Sequence, residues 1–155
     1  MSEDVEITIR NAFTDVLPPA EDELCDSVGG EAFADTQPFR GKRWQELGPD
    51  FLERYQYALF WFTPKAFHYY LPAFLLGGLA RPDAVFVVTI LQLLQPTADD
   101  TRARFREERW GLLSDAQVDS LEKWLCWFLD QTNPGPIFAS ELQQGLQVVR
   151  DRFWW

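Results

Sequence analysis

The stretch Phe62–Leu79, FTPKAFHYYLPAFLLGGL, decides the fold of this chain. Its Thr63-Pro64 pair is a helix-start signal, because a threonine hydroxyl can cap the first turn and proline suits the first helical position. Pro72 lacks an amide hydrogen and its ring clashes with the preceding turn of a helix. The stretch therefore predicts a helix that begins at Pro64 and is kinked or broken near Pro72, with its aromatic side chains in the core.

Apolar residues on both sides of this stretch recur at helical spacing. In the first half we expect a first helix whose buried face consists of Val5, Ile9, Ala12, Phe13 and Val16. A short acidic helix at Ala20–Val28 and an irregular segment Gly30–Arg43 follow, and in the irregular segment Phe33 and Phe39 contact the core. The next helix extends from Pro49 to Phe62, and its buried stripe consists of Phe51, Tyr55, Ala58, Leu59 and Phe62.

The second half predicts four further helices. They are a helix from Pro82 or Asp83 to Leu94, a helix Ala98–Trp110 capped by Thr97, a helix Asp115–Asp130 opened by the capping box Ser114-x-x-Gln117, and a last helix opened by the capping box Ser140-x-x-Gln143. The total is seven or eight helices in an all-α, single compact domain. We expect one domain over residues 1–155, with acidic N-terminal helices in residues 1–36 and a helical core in residues 44–155.

The net charge of −10 is distributed very unevenly. Residues 1–36 contain ten acidic residues and one basic residue, and so carry a net charge of −9. Such a segment repels nucleic acid and anionic membrane surfaces and attracts a basic partner, although an acidic surface can also serve solubility alone. The acidic residues that we expect to contact a partner are Glu21, Asp22, Glu23 and Asp26.

The residue inventory excludes most catalytic chemistry. His68 is the single histidine, and the chain has no phosphate-binding glycine loop and no nucleophile elbow. Two cysteines and one histidine do not supply a zinc site, so we expect no catalytic residue, no metal and no cofactor. Cys25 and Cys126 fit two isolated thiols in a reducing cytosol better than a disulfide, and no apolar run is both long and uninterrupted enough to cross a membrane. These features favour a cytoplasmic protein.

Two groups of aromatic residues remain as candidate sites. A pocket for a small ligand or substrate around His68, Tyr69 and Tyr70 is one alternative, and ordinary packing of these side chains is the other. Packing is favoured because no carboxylate lies within one helical turn of His68 to orient its ring. Trp154 and Trp155 follow Phe153 at the end of the last helix, where three consecutive aromatic residues cannot all face inward, so we expect them to anchor a partner.

From Trp44 to about Asp130 the chain resembles a family of small, uncharacterised bacterial helical proteins. The resemblance is carried by Trp44-Gln-Glu-Leu47, by the block Thr63-Pro-Lys-Ala-Phe-His-Tyr-Tyr-Leu-Pro-Ala-Phe74 and by the helix from Gln117 to Leu129. It implies a compact cytosolic helical protein without an assigned activity.

The concentrated negative charge, the missing catalytic inventory and the surplus of aromatic residues together predict a non-enzymatic binding protein. Its partner would be a basic protein, such as a toxin or effector that an immunity or inhibitor protein neutralises. The alternatives are the small-ligand protein or enzyme with a pocket around His68, and a structural or regulatory subunit that forms a homo-oligomer.

Overall fold

A computed structural model describes residues 2–26, 29–131 and 135–153, and within the helix that begins at Gly135 it describes side chains from Phe138 onward. The described residues form nine α-helices: α1 (Ser2–Phe13), α2 (Gly30–Thr36), α3 (Pro49–Arg54), α4 (Ala58–Trp61), α5 (Pro64–Ala80), α6 (Val85–Leu93), α7 (Asp100–Trp110), α8 (Asp115–Asp130) and α9 (Gly135–Arg150). Short 3-10 turns lie at Gln37–Phe39 and Trp44–Glu46. The prediction of an all-α single domain is confirmed.

Helix α5 is the centre of the domain, because it packs against α1, α3, α6 and α7. Its residues Ala66, Phe67, Leu71, Phe74 and Leu75 are all buried. The indole of Trp124 on α8 donates a 2.8 Å hydrogen bond to the Leu75 carbonyl, and the indole of Trp110 on α7 donates one of 2.9 Å to the Leu93 carbonyl. Both large side chains are therefore buried without leaving an unpaired donor.

Helix α1, near the N-terminus, joins this core by packing on α5 and α8. Val5, Ile9 and Phe13 are buried at this contact. The amide of Gln117 on α8 donates a 3.0 Å hydrogen bond to the Ala12 carbonyl, and Lys123 on α8 forms a 2.7 Å ion pair with Asp4. The acidic N-terminus is therefore an integral part of the domain.

The sequence predicted either a kink or a break of the helix near Pro72. A break at this position is wrong, since α5 continues for eight residues past Pro72 to Ala80. A proline inside a helix costs about 3 kcal/mol, whereas burial of a large apolar side chain gains about 1.5–3 kcal/mol. Because Phe74 and Leu75 are both fully buried beyond the proline, the packing of that part outweighs the local cost.

Four other predicted helices have different bounds. Helix α6 begins at Val85 and not at Pro82 or Asp83, since residues 82–84 are not helical. The helix predicted from Pro49 to Phe62 is divided into α3 and α4, because Tyr55 leaves the helical region at φ −117° and ψ 30°. The cap of α7 is Asp99, whose carboxylate accepts from the amide of Arg102, and not Thr97. Ser140 lies inside α9, which already begins at Gly135, so the second capping box is wrong.

The segment before α2 and α2 itself also differ from expectation. The described part of the predicted acidic helix, residues 20–26, consists of turns and bends. In the predicted irregular segment, Gly30–Thr36 is helical, Phe39 is buried as expected, and Phe33 is exposed. None of the described helices combines the length and the apolar character needed to cross a membrane.

Candidate binding groove

The junction between α4 and α5 holds the acidic segment 20–26, which we call the acidic loop. The Thr63 amide donates a 3.0 Å hydrogen bond to the Leu24 carbonyl, and the Thr63 hydroxyl donates one of 2.5 Å to the Glu23 carbonyl. Cys25 and Phe62 form an isolated antiparallel bridge, and the Leu24 side chain is buried. These carbonyls bond to the junction and not to a helical turn of their own, which explains why the acidic loop is not helical.

The same threonine caps α5, because its hydroxyl accepts a 3.1 Å hydrogen bond from the Ala66 amide. The Phe62 carbonyl beside it accepts a 2.8 Å hydrogen bond from the buried guanidinium of Arg109 on α7. Burial lowers the pKa of Arg109, and the negative charges of Glu108 and Asp26 oppose that shift. The acidic loop therefore rests on a junction that is fixed from two sides.

A groove of about 550 Å³ lies between the acidic loop, α2 and the 3-10 turn that follows it. We call it the acidic groove. It is lined by Glu21, Asp22, Leu24, Cys25, Phe33, Gln37 and Arg40. Carboxylates at its rim and apolar carbon on its floor suit a cationic side chain with a long aliphatic stem.

The structure divides the four predicted acidic residues into two pairs. Glu21 forms a 2.8 Å ion pair with Arg40, and Glu23 forms a 3.4 Å ion pair with Lys65. Asp22 and Asp26 are exposed and make no ion pair within the described chain. Asp22 and Asp26 are thus the two of these four carboxylates that make no ion pair, and the charge of Asp26 also acts on Arg109.

Two exposed aromatic side chains lie beside these acids. Phe33 lines the acidic groove and is 38% exposed, and Trp61 on α4 is 41% exposed. The Trp61 indole donates a 3.1 Å hydrogen bond to the carboxylate of Asp35 on α2, and α2 packs on α4. The Trp61 ring is therefore held in place at the surface, next to the negative charge of Asp35.

The sequence interpretation missed Phe33 and Trp61 as surface residues. For Trp61 a signal was present, since residue 61 lies off the stripe of residues 51, 55, 58, 59 and 62 that predicted the buried face. No comparable periodic signal exists for Phe33, because α2 has only seven residues.

Of the alternative pocket residues, Tyr69 and Tyr70 are in contact through their rings, whose centroids are 4.8 Å apart, and His68 contacts Phe13 and Gln117. His68 lies on the side of α5 that faces α1 and α8, where its Nε2 is 2.7 Å from the Gln117 side-chain oxygen. That oxygen also accepts from the Ser114 amide, so His68 Nε2 is the donor. Tyr69 and Tyr70 are buried, and the Tyr70 hydroxyl is bonded to the Phe39 carbonyl. All three residues therefore make packing or hydrogen-bonding contacts within the domain.

Trp154 and Trp155, the other predicted anchors, lie outside the described residues. The preceding Phe153 stacks on Trp110 with ring centroids 5.7 Å apart. Cys25 and Cys126 are not joined by a disulfide. Within the described ranges, no group of three or more histidine, cysteine or carboxylate side chains is arranged to hold a metal ion.

The chain belongs to a family of unknown function, DUF6714, whose family model matches residues 1–135. The match begins at the first residue, and so includes the acidic loop and α1 as well as the central helix. No curated protein and no solved structure matches the chain.

Proposed function

We propose that this chain is a non-enzymatic binding protein that docks or neutralises a basic protein partner, as an immunity or inhibitor protein does. The observation that carries the proposal is the acidic groove, which is lined both by the carboxylate of Asp22, which makes no ion pair in the described chain, and by the exposed ring of Phe33. A bacterial, cytoplasmic protein that neutralises a toxin or effector is the specific form of this proposal.

Electrostatics supports a basic partner. Asp22 and Asp26 are exposed carboxylates without an ion pair in the described chain, on a molecule whose net charge is −10. Negative charge concentrated on one part of the molecule accelerates encounter with a positively charged protein and discourages nucleic acid. Glu21 and Glu23 can exchange their internal partners for those of a bound protein at little cost, because exposed ion pairs contribute only about 0–1 kcal/mol.

The aromatic residues support a protein partner in preference to a simple cation. Binding energy at protein interfaces is concentrated in a few buried anchors, among which tryptophan and tyrosine are enriched. Phe33 and Trp61 both present partly exposed rings. Because a hydrogen bond to Asp35 orients the Trp61 ring in advance, little side-chain entropy is lost when a partner covers it.

The test is affinity capture from the native host, followed by binding measurements with the purified partner. The double variant Asp22→Lys with Asp26→Lys, which we call the groove variant, reverses the charge at two exposed positions of the acidic loop, of which Asp22 lines the groove. The matched control, Asp83→Lys with Asp130→Lys, makes the same change in net charge at exposed carboxylates elsewhere. We expect wild type and control to retain a basic protein that the groove variant loses.

A second variant, Phe33→Ala with Trp61→Ala, leaves the charge intact and removes the rings. We expect it to weaken binding of the captured partner by at least about tenfold, since each 1.4 kcal/mol changes the affinity tenfold. Capture of no basic protein, or equal retention by the groove variant and its control, would contradict the proposal.

A further inference from the structure

A second groove, of about 650 Å³, lies on another part of the surface, between the end of α6 and the exposed side of α7. We call it the arginine groove. Its floor contains Phe60, Leu93 and Phe105, and its rim contains Thr101, Arg102 and Arg106. The remaining lining side chains among the described residues are neutral, so no described carboxylate lines it.

Local hydrogen bonds fix the position of one of the positive charges in this groove. Arg106 donates hydrogen bonds to the backbone carbonyls of Gln92 and Gln95, which orient its guanidinium at the rim. Arg102 lies one helical turn earlier on α7, is exposed, and makes no ion pair within the described chain. The carboxylate of Asp99 is engaged with the Arg102 backbone amide as the cap of α7.

Electrostatics favours an anion between the two arginines. Burial lowers the pKa of Arg106, and the positive charge of Arg102 lowers it further. A bound anion would relieve this repulsion and would gain charge-assisted hydrogen bonds from guanidinium groups, whose planar donors match a carboxylate.

The apolar floor of the groove favours a ligand that has an apolar part as well as a negative charge. Phe60 and Phe105 are half-buried and Leu93 is buried, and together they form the apolar floor of the groove beside the arginines. The guanidinium of Arg109 stacks on the Phe105 ring at 3.5 Å and holds that ring in place. A small inorganic anion would leave this apolar surface in contact with water, whereas an organic acid would cover it.

We propose that the arginine groove binds a small organic carboxylate, whose apolar body lies on Phe60, Leu93 and Phe105 and whose carboxylate pairs with Arg102 and Arg106. The site is independent of the acidic groove and of the partner proposed there. Such binding would give the protein a small-molecule ligand, although its sequence contains no recognised catalytic motif.

The proposal is tested by titrating the intact protein with octanoate and with 1-naphthoate, using calorimetry together with amide chemical shifts. We expect saturable binding of at least one acid with a Kd below roughly 1 mM. The shifts should concentrate in α7 and in residues 92–97. The neutral analogues octanol and 1-naphthalenemethanol, and acetate as a charge without an apolar body, should each bind at least about tenfold more weakly.

The matched variants are Arg102→Gln in the groove and Arg104→Gln, which removes an exposed arginine of the same helix that does not line the groove. We expect Arg102→Gln to weaken binding about tenfold and Arg104→Gln to leave it unchanged. The proposal is overturned if neither acid saturates by about 10 mM, if the alcohols bind as well as the acids, or if the two variants behave alike. The comparison of acids with alcohols uses only wild-type protein, and so remains decisive if a variant fails to fold.

Discussion

Tyr70 shows how one polar atom is accommodated inside this aromatic core. Its hydroxyl lies 2.8 Å from both the Phe39 and the Lys42 carbonyl oxygens, and its ring stacks on Phe62 with centroids 5.3 Å apart. Burial raises the pKa of Tyr70 well above its usual value, and the charges of Tyr69 and Glu46 add to the shift. The folded protein therefore strongly favours the neutral phenol.

The sign of the resulting pH dependence follows from linkage. A raised pKa in the folded state means that the contribution of Tyr70 is present below about pH 10, the ordinary tyrosine pKa, and is lost as the pH rises above it. The unfolded chain releases the Tyr70 proton in that range and the folded chain retains it. The loss amounts to about 1.4 kcal/mol for each pH unit above about 10.

Tyr70→Phe should lower the free energy of unfolding at neutral pH by about 1–2 kcal/mol, because it removes the hydroxyl that the Phe39 and Lys42 carbonyls share. The same variant should lose less stability than wild type as the pH is raised from about 9 to 11. Urea unfolding at several pH values measures both effects. Tyr57→Phe, a change at an exposed tyrosine, is the control and should follow wild type across the same pH range. The proposed role of Tyr70 would be contradicted if Tyr70→Phe left unchanged the decrease of the free energy of unfolding with rising alkaline pH.

At the scale of elements, one threonine couples the central helix to the acidic loop. The Thr63 hydroxyl accepts from the Ala66 amide in the first turn of α5 and donates to the Glu23 carbonyl. Loss of an N-cap costs about 0.5–2 kcal/mol, and loss of the second bond leaves a carbonyl less well satisfied.

We predict that Thr63→Ala destabilises the protein by about 1–3 kcal/mol and increases hydrogen exchange in both the first turn of α5 and the acidic loop. Thr63→Ser retains the hydroxyl and should restore protection in both segments. If Thr63→Ala loosened α5 without affecting the loop, the coupling would be wrong.

Elements whose ends are specified locally could be predicted from the sequence. Helix α8 begins and ends where the Ser114–Gln117 capping box and its apolar stripe indicated, and both reciprocal hydrogen bonds of the box are present. The Ser140 motif has the same letters but lies inside α9, because a capping motif acts only where the helix actually begins. Pro72 failed as a helix breaker since burial beyond it is a tertiary effect that no local rule contains.

The candidate site was predictable in part for similar reasons. The charge count alone pointed to the segment that contains the candidate site, because net charge depends on composition alone. It did not distinguish Asp22 and Asp26 from Glu21 and Glu23, since the ion pairs with Arg40 and Lys65 span 19 and 42 positions of chain. Phe33 was assigned to the core because no local feature of the sequence marks it as exposed.

At the scale of the whole molecule, the first helix is part of the cooperative unit. Ile9 is fully buried on α1, whereas Ile7 two positions earlier is 58% exposed. Ile9→Ala should lower the free energy of unfolding by about 2–5 kcal/mol, a large share of the 5–15 kcal/mol typical of a domain. Ile7→Ala should change it by less than about 1 kcal/mol.

The measurement is urea unfolding followed both by far-ultraviolet circular dichroism and by tryptophan fluorescence. We expect the two signals of Ile9→Ala to shift together to lower urea, because α1 and the buried tryptophans unfold as one domain. A variant in which helix content is lost first, with fluorescence unchanged, would mean that α1 is a separate unit.

The contact between α1 and α8 has a consequence for the order of events during synthesis. Helix α1 is made first, but its partner α8 is complete only at Asp130, which follows Phe13 by 117 residues. At a translation rate of about 5–20 residues per second, α1 waits roughly 6–23 s before the α8 part of its docking surface exists. Until then Val5, Ile9 and Phe13 can pack only on α5, and we expect the acidic residues around them to favour the solubility of the nascent helix.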